Sequence, residues 1–137
     1  MRVTHYRLAE PDRLIVLIES TLNAAVCPDC QQLSLTVHET SPPQMIRDLP
    51  MWNRTCWLQY APRRFKCLSC NDTFVERVLW REPGLDYTVR YEHYIYQRAR
   101  RELIAPLAQD EDLSQDIVQG IFARGAKKNL SNAAIQP

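Results

Sequence analysis

The spacing of apolar and polar positions changes character twice along the chain. Residues 1–13 are mostly polar and carry Pro11-Asp12, a turn signal. Leu14 to Ser20 is aliphatic and β-branched and predicts a strand. Ala24-Ala-Val26 is a second short apolar stretch. Leu33-Ser-Leu-Thr-Val37 alternates with period two and predicts a half-buried strand. Ser41-Pro-Pro-Gln reads as a loop, and Arg47-Asp-Leu-Pro50 as a turn into the next strand. Thr55 to Tyr60 alternates again, with Cys56, Leu58 and Tyr60 on one face. Thr73 to Val78 predicts the last strand, and Trp80 to Asp86, with Pro83-Gly84, a linker.

After Asp86 the period becomes helical. Tyr87, Tyr91, Tyr94, Ile95 and Leu103 recur at helical spacing, with Asp86 or Thr88 as N-cap and Pro106 ending or kinking the helix. Leu107-Ala-Gln-Asp110 predicts no more than a short turn. A last helix starts at Asp112 or Ser114 and runs to about Arg124, with Gly125 as its stop. Ile117, Val118, Ile121 and Phe122 form its apolar stripe. Gln115, Asp116, Gln119 and Ala123 form the opposite face. Gly120 inside this helix costs about 1 kcal/mol relative to Ala, and close approach of a neighbour would account for it.

Two cysteine pairs lie within the strand-rich half, Cys27-Pro-Asp-Cys30 and Cys67-Leu-Ser-Cys70. Two intervening residues let one tight turn aim two sulfurs at one point. Two such turns make the four-thiolate tetrahedron that Zn²⁺ prefers, so these four residues are the candidate ligands of a structural zinc ion. A rubredoxin-type iron site uses the same spacing, a redox pair usually occurs once beside a β-α-β pattern, and two disulfides need an oxidising compartment. Asn71, just after the second pair, suits a positive-φ position. His38 stands near the first pair, but four cysteines already fill the cage. Cys56 has no partner at knuckle spacing and reads as a small buried hydrophobe.

Composition narrows the classes. The chain of 137 residues has a hydrophobic fraction of 45% and a net charge of +1. One domain or two small ones are expected, and lobes of that size often need a metal staple. The run Leu14-Ile-Val-Leu-Ile18 is too short to span a bilayer, and Met1-Arg-Val-Thr-His5 has no signal core. A cytoplasmic protein without a membrane partner is therefore expected. The near-neutral charge argues mildly against nucleic acid, so any such case rests on local clusters. These are Arg63-Arg64-Phe-Lys66, then Arg98, Arg100 and Arg101, then Arg124, Lys127 and Lys128. Gln115 and Gln119, four apart, point the same way, and glutamine can pair with N7 and N6 of adenine. Trp52, Trp57 and Trp80 are either core residues or an aromatic docking patch.

In the order Cys27-Pro-x-Cys30, Arg47-Asp-Leu-Pro50, Arg63-Arg-Phe-Lys-Cys67-x-x-Cys70 and Thr73-Phe-Val-Glu76, the chain resembles the N-terminal region of the ISL-three family of insertion-sequence transposases. The likeness continues through Thr88-Val-Arg90 and Leu113-Ser-Gln-Asp-Ile-Val-Gln-Gly-Ile-Phe122, and covers about residues 14–128. It implies a zinc-ribbon domain followed by a helix-turn-helix, both binding the inverted repeats at transposon ends. The family's RNase-H-like catalytic domain would begin where this chain stops, at Pro137, so nuclease activity is not carried over.

The expectation is an α+β protein. Residues 1–82 would form a zinc-ribbon-like β domain and residues 83–137 an α-helical helix-turn-helix region. It would bind double-stranded DNA in a sequence-specific way, with zinc structural and no catalytic residues. Arg63, Arg64 and Lys66 would contact phosphates or a groove edge. Gln115, Asp116 and Gln119 would enter the major groove, and Arg124, Lys127 and Lys128 would hold the backbone. Dimerisation or a partner protein would complete a site that a single helix-turn-helix reads only in part. The rival expectations are a zinc-ribbon protein-interaction module and, last, an enzyme.

Overall fold

The computed structural model describes residues 1–135, with side chains through Leu130. They fall into two compact units, Met1–Thr88 and Val89–Pro137. The first holds nine strands and the second three helices, so the fold is mixed α+β.

The strands of the first unit are β1 (Arg2–Ala9), β2 (Arg13–Glu19), β3 (Ala25–Val26), β4 (Leu33–Ser34), β5 (Thr36–Thr40), β6 (Gln44–Met51), β7 (Arg54–Tyr60), β8 (Arg63–Lys66) and β9 (Thr73–Val75). They form three sheets: β1-β2-β7-β6, β3-β4 and β5-β8-β9. The first sheet lies within the span expected as the ribbon-like β domain, residues 1–82, and takes strands from two places. The β6–β7 hairpin comes from the long stretch between the cysteine pairs, and β7 runs parallel to β2 of the hairpin that precedes them. Trp52 and Asn53 both have positive φ at the β6–β7 turn, the geometry of a tight type I′ hairpin loop.

Paired residues share a face of a sheet. Leu14, Cys56 and Asp48 therefore make one row, and Val16, Leu58 and Ile46 the next. Leu14, Ile46 and Cys56 are buried, which bears out the reading of Cys56. Residues 80–86, expected as a linker, belong with Tyr87 and Thr88 to this unit and are tied to β6. Arg47 N–H donates to Asp86 O at 2.8 Å, Thr88 N–H to Arg47 O at 2.9 Å, and the Thr88 hydroxyl to Asp48 Oδ1 at 2.9 Å. Trp80 stands edge-on to Tyr60, with ring centroids 5.3 Å apart.

Two strand expectations change. Residues 2–9 form β1 despite their polar character, because antiparallel pairing with β2 satisfies their backbone. Leu33–Val37 is not one half-buried strand. It breaks at Leu35 into β4 and β5, and its phase is inverted: Ser34 is buried while Leu33, Leu35 and Val37 are exposed. Ser34 turns inward because its hydroxyl donates to Lys66 O, satisfying a carbonyl beside the second cysteine pair.

In the second unit α1 is Val89–Ala99, α2 is Ile104–Asp110 and α3 is Gln115–Ile135. Tyr91, Ile95, Leu107, Val118 and Ile121 form its core. The buried Glu111 carboxylate accepts bonds from the Tyr91 and Tyr94 hydroxyls, each at 2.9 Å, and from Arg98 Nη1 at 2.8 Å. Arg98 also pairs with Glu102 and Asp110. Burial raises the Tyr94 hydroxyl's pKa, and the bond to Glu111 reinforces the shift.

Three helical boundaries differ from expectation. Pro106 does not end a helix but sits in the first turn of α2, where its missing N–H costs nothing. Leu107–Asp110 accordingly belongs to a helix rather than a lone turn. Gly125 is not a stop, and α3 runs through it. A Cβ there would lie 2.5 and 2.6 Å from Tyr96 Cδ2 and Cγ. The close approach expected at Gly120 is found at Gly125, since a Cβ at Gly120 would meet only Arg124 Nη1 at 3.4 Å. Among the described residues no helix is long and apolar enough to cross a membrane.

Candidate metal centre and nucleic-acid interface

The two cysteine pairs sit in turns built alike. Gln31 N–H donates to Cys27 O at 3.0 Å and Cys27 N–H to Gln32 O at 2.9 Å. Asn71 N–H donates to Cys67 O at 2.8 Å and Cys67 N–H to Asp72 O at 2.8 Å. Gln31 and Asn71 share a φ of 64°. The sequence marks that conformation at Asn71, where the residue type suits it, and hides it at Gln31. Repetition of the Cys-x-x-Cys unit was the signal available for Gln31.

The turns bring four sulfurs together. Cys27 Sγ lies 3.6 Å from Cys70 Sγ and Cys30 Sγ lies 3.3 Å from Cys67 Sγ, and all four fall within 4.8 Å of one another. With Zn–S bonds of about 2.3 Å, a regular tetrahedron has edges of about 3.8 Å, so the cage closes on the ion with small adjustments. Phe65 and Phe74, stacked at 6.0 Å, form the floor with Cys27 and Cys67. The thiols differ in how readily they ionise. The Cys70 N–H holds the Cys67 thiol down to about 6. At Cys70 the Asp72 N–H acts to lower the pKa, but the bonds from Cys67 and Cys27 prevail and push it up to about 12. A divalent cation removes this competition by replacing the shared protons. All four positions of the tetrahedron would be filled by thiolate, leaving none for a reacting water.

Alternation along β8 divides the basic run before Cys67. Arg63 faces the same way as Phe65. Its Nε and Nη2 donate to Glu76 Oε1 and Oε2 at 2.9 and 2.7 Å, and Nη2 also reaches Leu22 O at 2.7 Å. The Tyr60 hydroxyl donates to the same carboxylate at 2.7 Å. Burial alone would raise the Glu76 pKa. The Arg63 and Tyr60 bonds outweigh it and hold the carboxyl below its usual range. Arg63, expected at phosphates, is thus directed into a joint between the ribbon and β7 of the four-stranded sheet. Glu76 is the residue that the sequence reading missed, and its place in Thr73-Phe-Val-Glu76 was visible without its partner being so.

Arg64 and Lys66 lie on the opposite, outer face of β8. Register places them among Glu39, Val75, Thr36 and Thr73. Arg64 Nε is 3.5 Å from Glu39 Oε1, a loose exposed pair worth about 0–1 kcal/mol. On α3, Gln115, Asp116 and Gln119 are exposed while Val118 and Ile121 are buried, as the periodicity predicts. Ser114 caps the helix, accepting the Ile117 N–H at 3.2 Å. Arg124 is directed to Glu92 of α1, and Lys127 and Lys128 are exposed.

The tryptophans form no common patch. Trp52 is exposed at the β6–β7 turn. Trp57 lies under the guanidinium groups of Arg47 and Arg13, at 5.4 and 6.0 Å, while Trp80 packs on Tyr60.

Residues 23–70 match the family described as the zinc-finger of transposase IS204/IS1001/IS1096/IS1165. No curated protein and no solved structure matches this chain. The match spans both cysteine pairs and the hairpin between them. With the sulfur geometry, it identifies a zinc ribbon in which Cys27, Cys30, Cys67 and Cys70 hold a structural Zn²⁺.

Proposed function

We propose that this chain binds double-stranded DNA sequence-specifically, as the end-recognition part of a transposase-like system, and performs no cleavage itself. The observation that carries this reading is the transposase zinc-finger match over a fully built four-thiolate cage. The helical unit supports it. Four residues, Glu111 to Ser114, join α2 to α3, and the exposed Gln115, Asp116 and Gln119 stand at the start of α3. In a helix-turn-helix the start of the second helix reaches base edges. On this reading the first unit, through Thr88, supplies the ribbon and the second, from Val89, the reading helix. Arg64 and Lys66 hold phosphates from the outer face of β8, with Lys127 and Lys128 doing so from α3. Two copies would read a symmetric or repeated site.

Selection from a random duplex pool with zinc-loaded protein tests this. An enriched motif is expected. Gln119→Ala should relax preference at one base pair by about 1–3 kcal/mol, whereas Lys66→Ala should weaken all sequences alike and lower the salt slope by about one. No enrichment, or equal losses for both variants, refutes it. A second reading is favoured by one observation: Val26 and Leu33 are exposed cross-strand neighbours beside the metal cage, as a protein-docking ribbon would present. Lack of any salt-dependent DNA affinity would select it.

A further inference from the structure

The two faces of the four-stranded sheet carry different side chains. One face holds Leu14, Ile46, Cys56, Leu58 and Tyr60, and Trp80 packs on it through Tyr60. On the other face the register sets two rows across all four strands. The first is Arg7, Ile15, Trp57 and Arg47, and the second is His5, Leu17, Gln59 and Met45. Arg13 and Thr55 share that face one row further on. Ile15 is buried, while His5, Arg7, Arg13 and Met45 are exposed.

The exposed cations of this face are held by neutral groups. Arg2, Arg54, Arg63, Arg64, Arg98 and Arg124 each lie beside a carboxylate. Arg7 and Arg13 do not. Arg7 Nη1 donates to Gln59 Oε1 at 3.2 Å. The Arg13 guanidinium lies 6.0 Å from the centre of the Trp57 ring, over which buried Arg47 also lies at 5.4 Å. Each of the two exposed guanidiniums is thus oriented, yet keeps its full charge and unused N–H donors. Glu19, the next residue of β2 on this face after Leu17, is held by Arg2. An ordinary solvated face intersperses both signs, and neither of these rows holds a carboxylate.

Resting on the DNA-binding reading above, we propose that this sheet face is a further DNA-contacting surface, apart from β8 and α3, which holds the phosphodiester backbone through Arg7 and Arg13. Charge complementarity names the occupant: a planar guanidinium fork matches phosphate oxygens and gains most where no carboxylate competes. Sheet geometry sets the two α-carbons about 8 Å apart, one strand spacing across and two residues along, so both side chains reach one stretch of backbone. The Trp57 ring already has cations over it, so the contact is to phosphate rather than to stacked bases and carries no sequence preference.

Fluorescence anisotropy of a labelled random-sequence duplex, titrated with the full zinc-loaded chain over a series of salt concentrations, tests this. Arg7→Gln and Arg13→Gln combined should weaken binding by about tenfold or more and lower the salt slope by about two. Selection with the same variant should return the parent's motif, because backbone contacts specify no base. Met45→Lys adds a cation to this face without disturbing either arginine, and should tighten binding and steepen the slope by about one. Tyr6→Lys, at an exposed position on the opposite face, should leave the slope unchanged. An unchanged slope in the arginine variant overturns the assignment, as do equal effects of the two lysines, which net charge alone would produce. A parent that enriches a motif while the arginine variant binds as the parent does removes this surface and leaves the DNA reading standing. A parent that enriches no motif, with the slope still lowered in the variant, keeps the surface and removes sequence-specific reading. A parent without affinity for DNA removes both.

Discussion

Two glycines five positions apart on α3 should answer the same substitution with opposite signs. At Gly120 an added Cβ meets only the far end of the Arg124 side chain, at 3.4 Å. Alanine there gains helix propensity of about 1 kcal/mol and loses little. At Gly125 the same atom would sit 2.5, 2.6 and 3.0 Å from Cδ2, Cγ and Cε2 of Tyr96. Tyr96 is buried, its ring lies 5.5 Å from that of Phe122, and its hydroxyl accepts the Asn129 amide at 2.8 Å. The ring cannot withdraw without losing those contacts. Overpacking of this kind costs about 1–3 kcal/mol, which matches or exceeds the propensity gain. Gly120→Ala should therefore stabilise the helical unit by up to about 1 kcal/mol, and Gly125→Ala should destabilise it by up to about 2 kcal/mol net. Urea unfolding followed by far-ultraviolet circular dichroism measures both. Equal shifts in midpoint, or stabilisation by Gly125→Ala, would refute the packing of α3 against α1 through Gly125.

The metal centre and its joint to the sheet give two more expectations. All five cysteines should resist thiol reagents in the native protein, Cys56 because it is buried, and the four of the cage should become reactive when a chelator removes about one zinc per chain; direct reaction of those four without chelator would contradict the site. Glu76→Ala leaves the half-buried Arg63 without its counter-charge, keeping only the bond to Leu22 O, and should cost about 3 kcal/mol. The pH dependence follows from the carboxyl's lowered pKa. Glu76 contributes stability at pH values above its unfolded range, and that contribution disappears as pH falls through the lower folded value. Acid-induced unfolding should accordingly be less steep in Glu76→Ala than in the parent, as read from urea midpoints at neutral and acidic pH.

The metal ligands were legible because two short motifs carry both their chemistry and their geometry. The exposed face of α3 was legible because its stripe of Ile117, Val118, Ile121 and Phe122 has a helical period, although Phe122 at the stripe's margin stays 36% exposed. The four-stranded sheet was not. Its parallel β2–β7 pairing joins segments far apart in sequence, and nothing local to Leu14 or Cys56 announces the partner. β1 was hidden because an edge strand exposed on both faces has no apolar period to read. Ser34 misled in the other direction. Alternation predicted which side chains turn inward, but a single hydroxyl-to-carbonyl bond reversed the phase. Arg63 looked like its neighbour Arg64 in sequence, and only the strand's twofold alternation, with Glu76 across from it, separates an anchoring arginine from an exposed one.

The interleaving of ribbon and sheet has a consequence for how this molecule can be divided. Cys30 and Cys67, neighbours in the cage, are 37 positions apart in sequence, and the segment between them lends β6 and β7 to a sheet whose other half precedes Cys27. The ion thus closes a loop whose contents are held in place by strands that contribute no ligand. A fragment cut to the matched span of 23–70 would keep every sulfur, yet it would strip β7 of its parallel neighbour and uncover Cys56 and Leu58 along a raw edge. The ribbon of this chain is therefore not a portable cassette: its natural excision boundaries run from β1 through the strap that closes on Arg47, well outside the cysteines that define it.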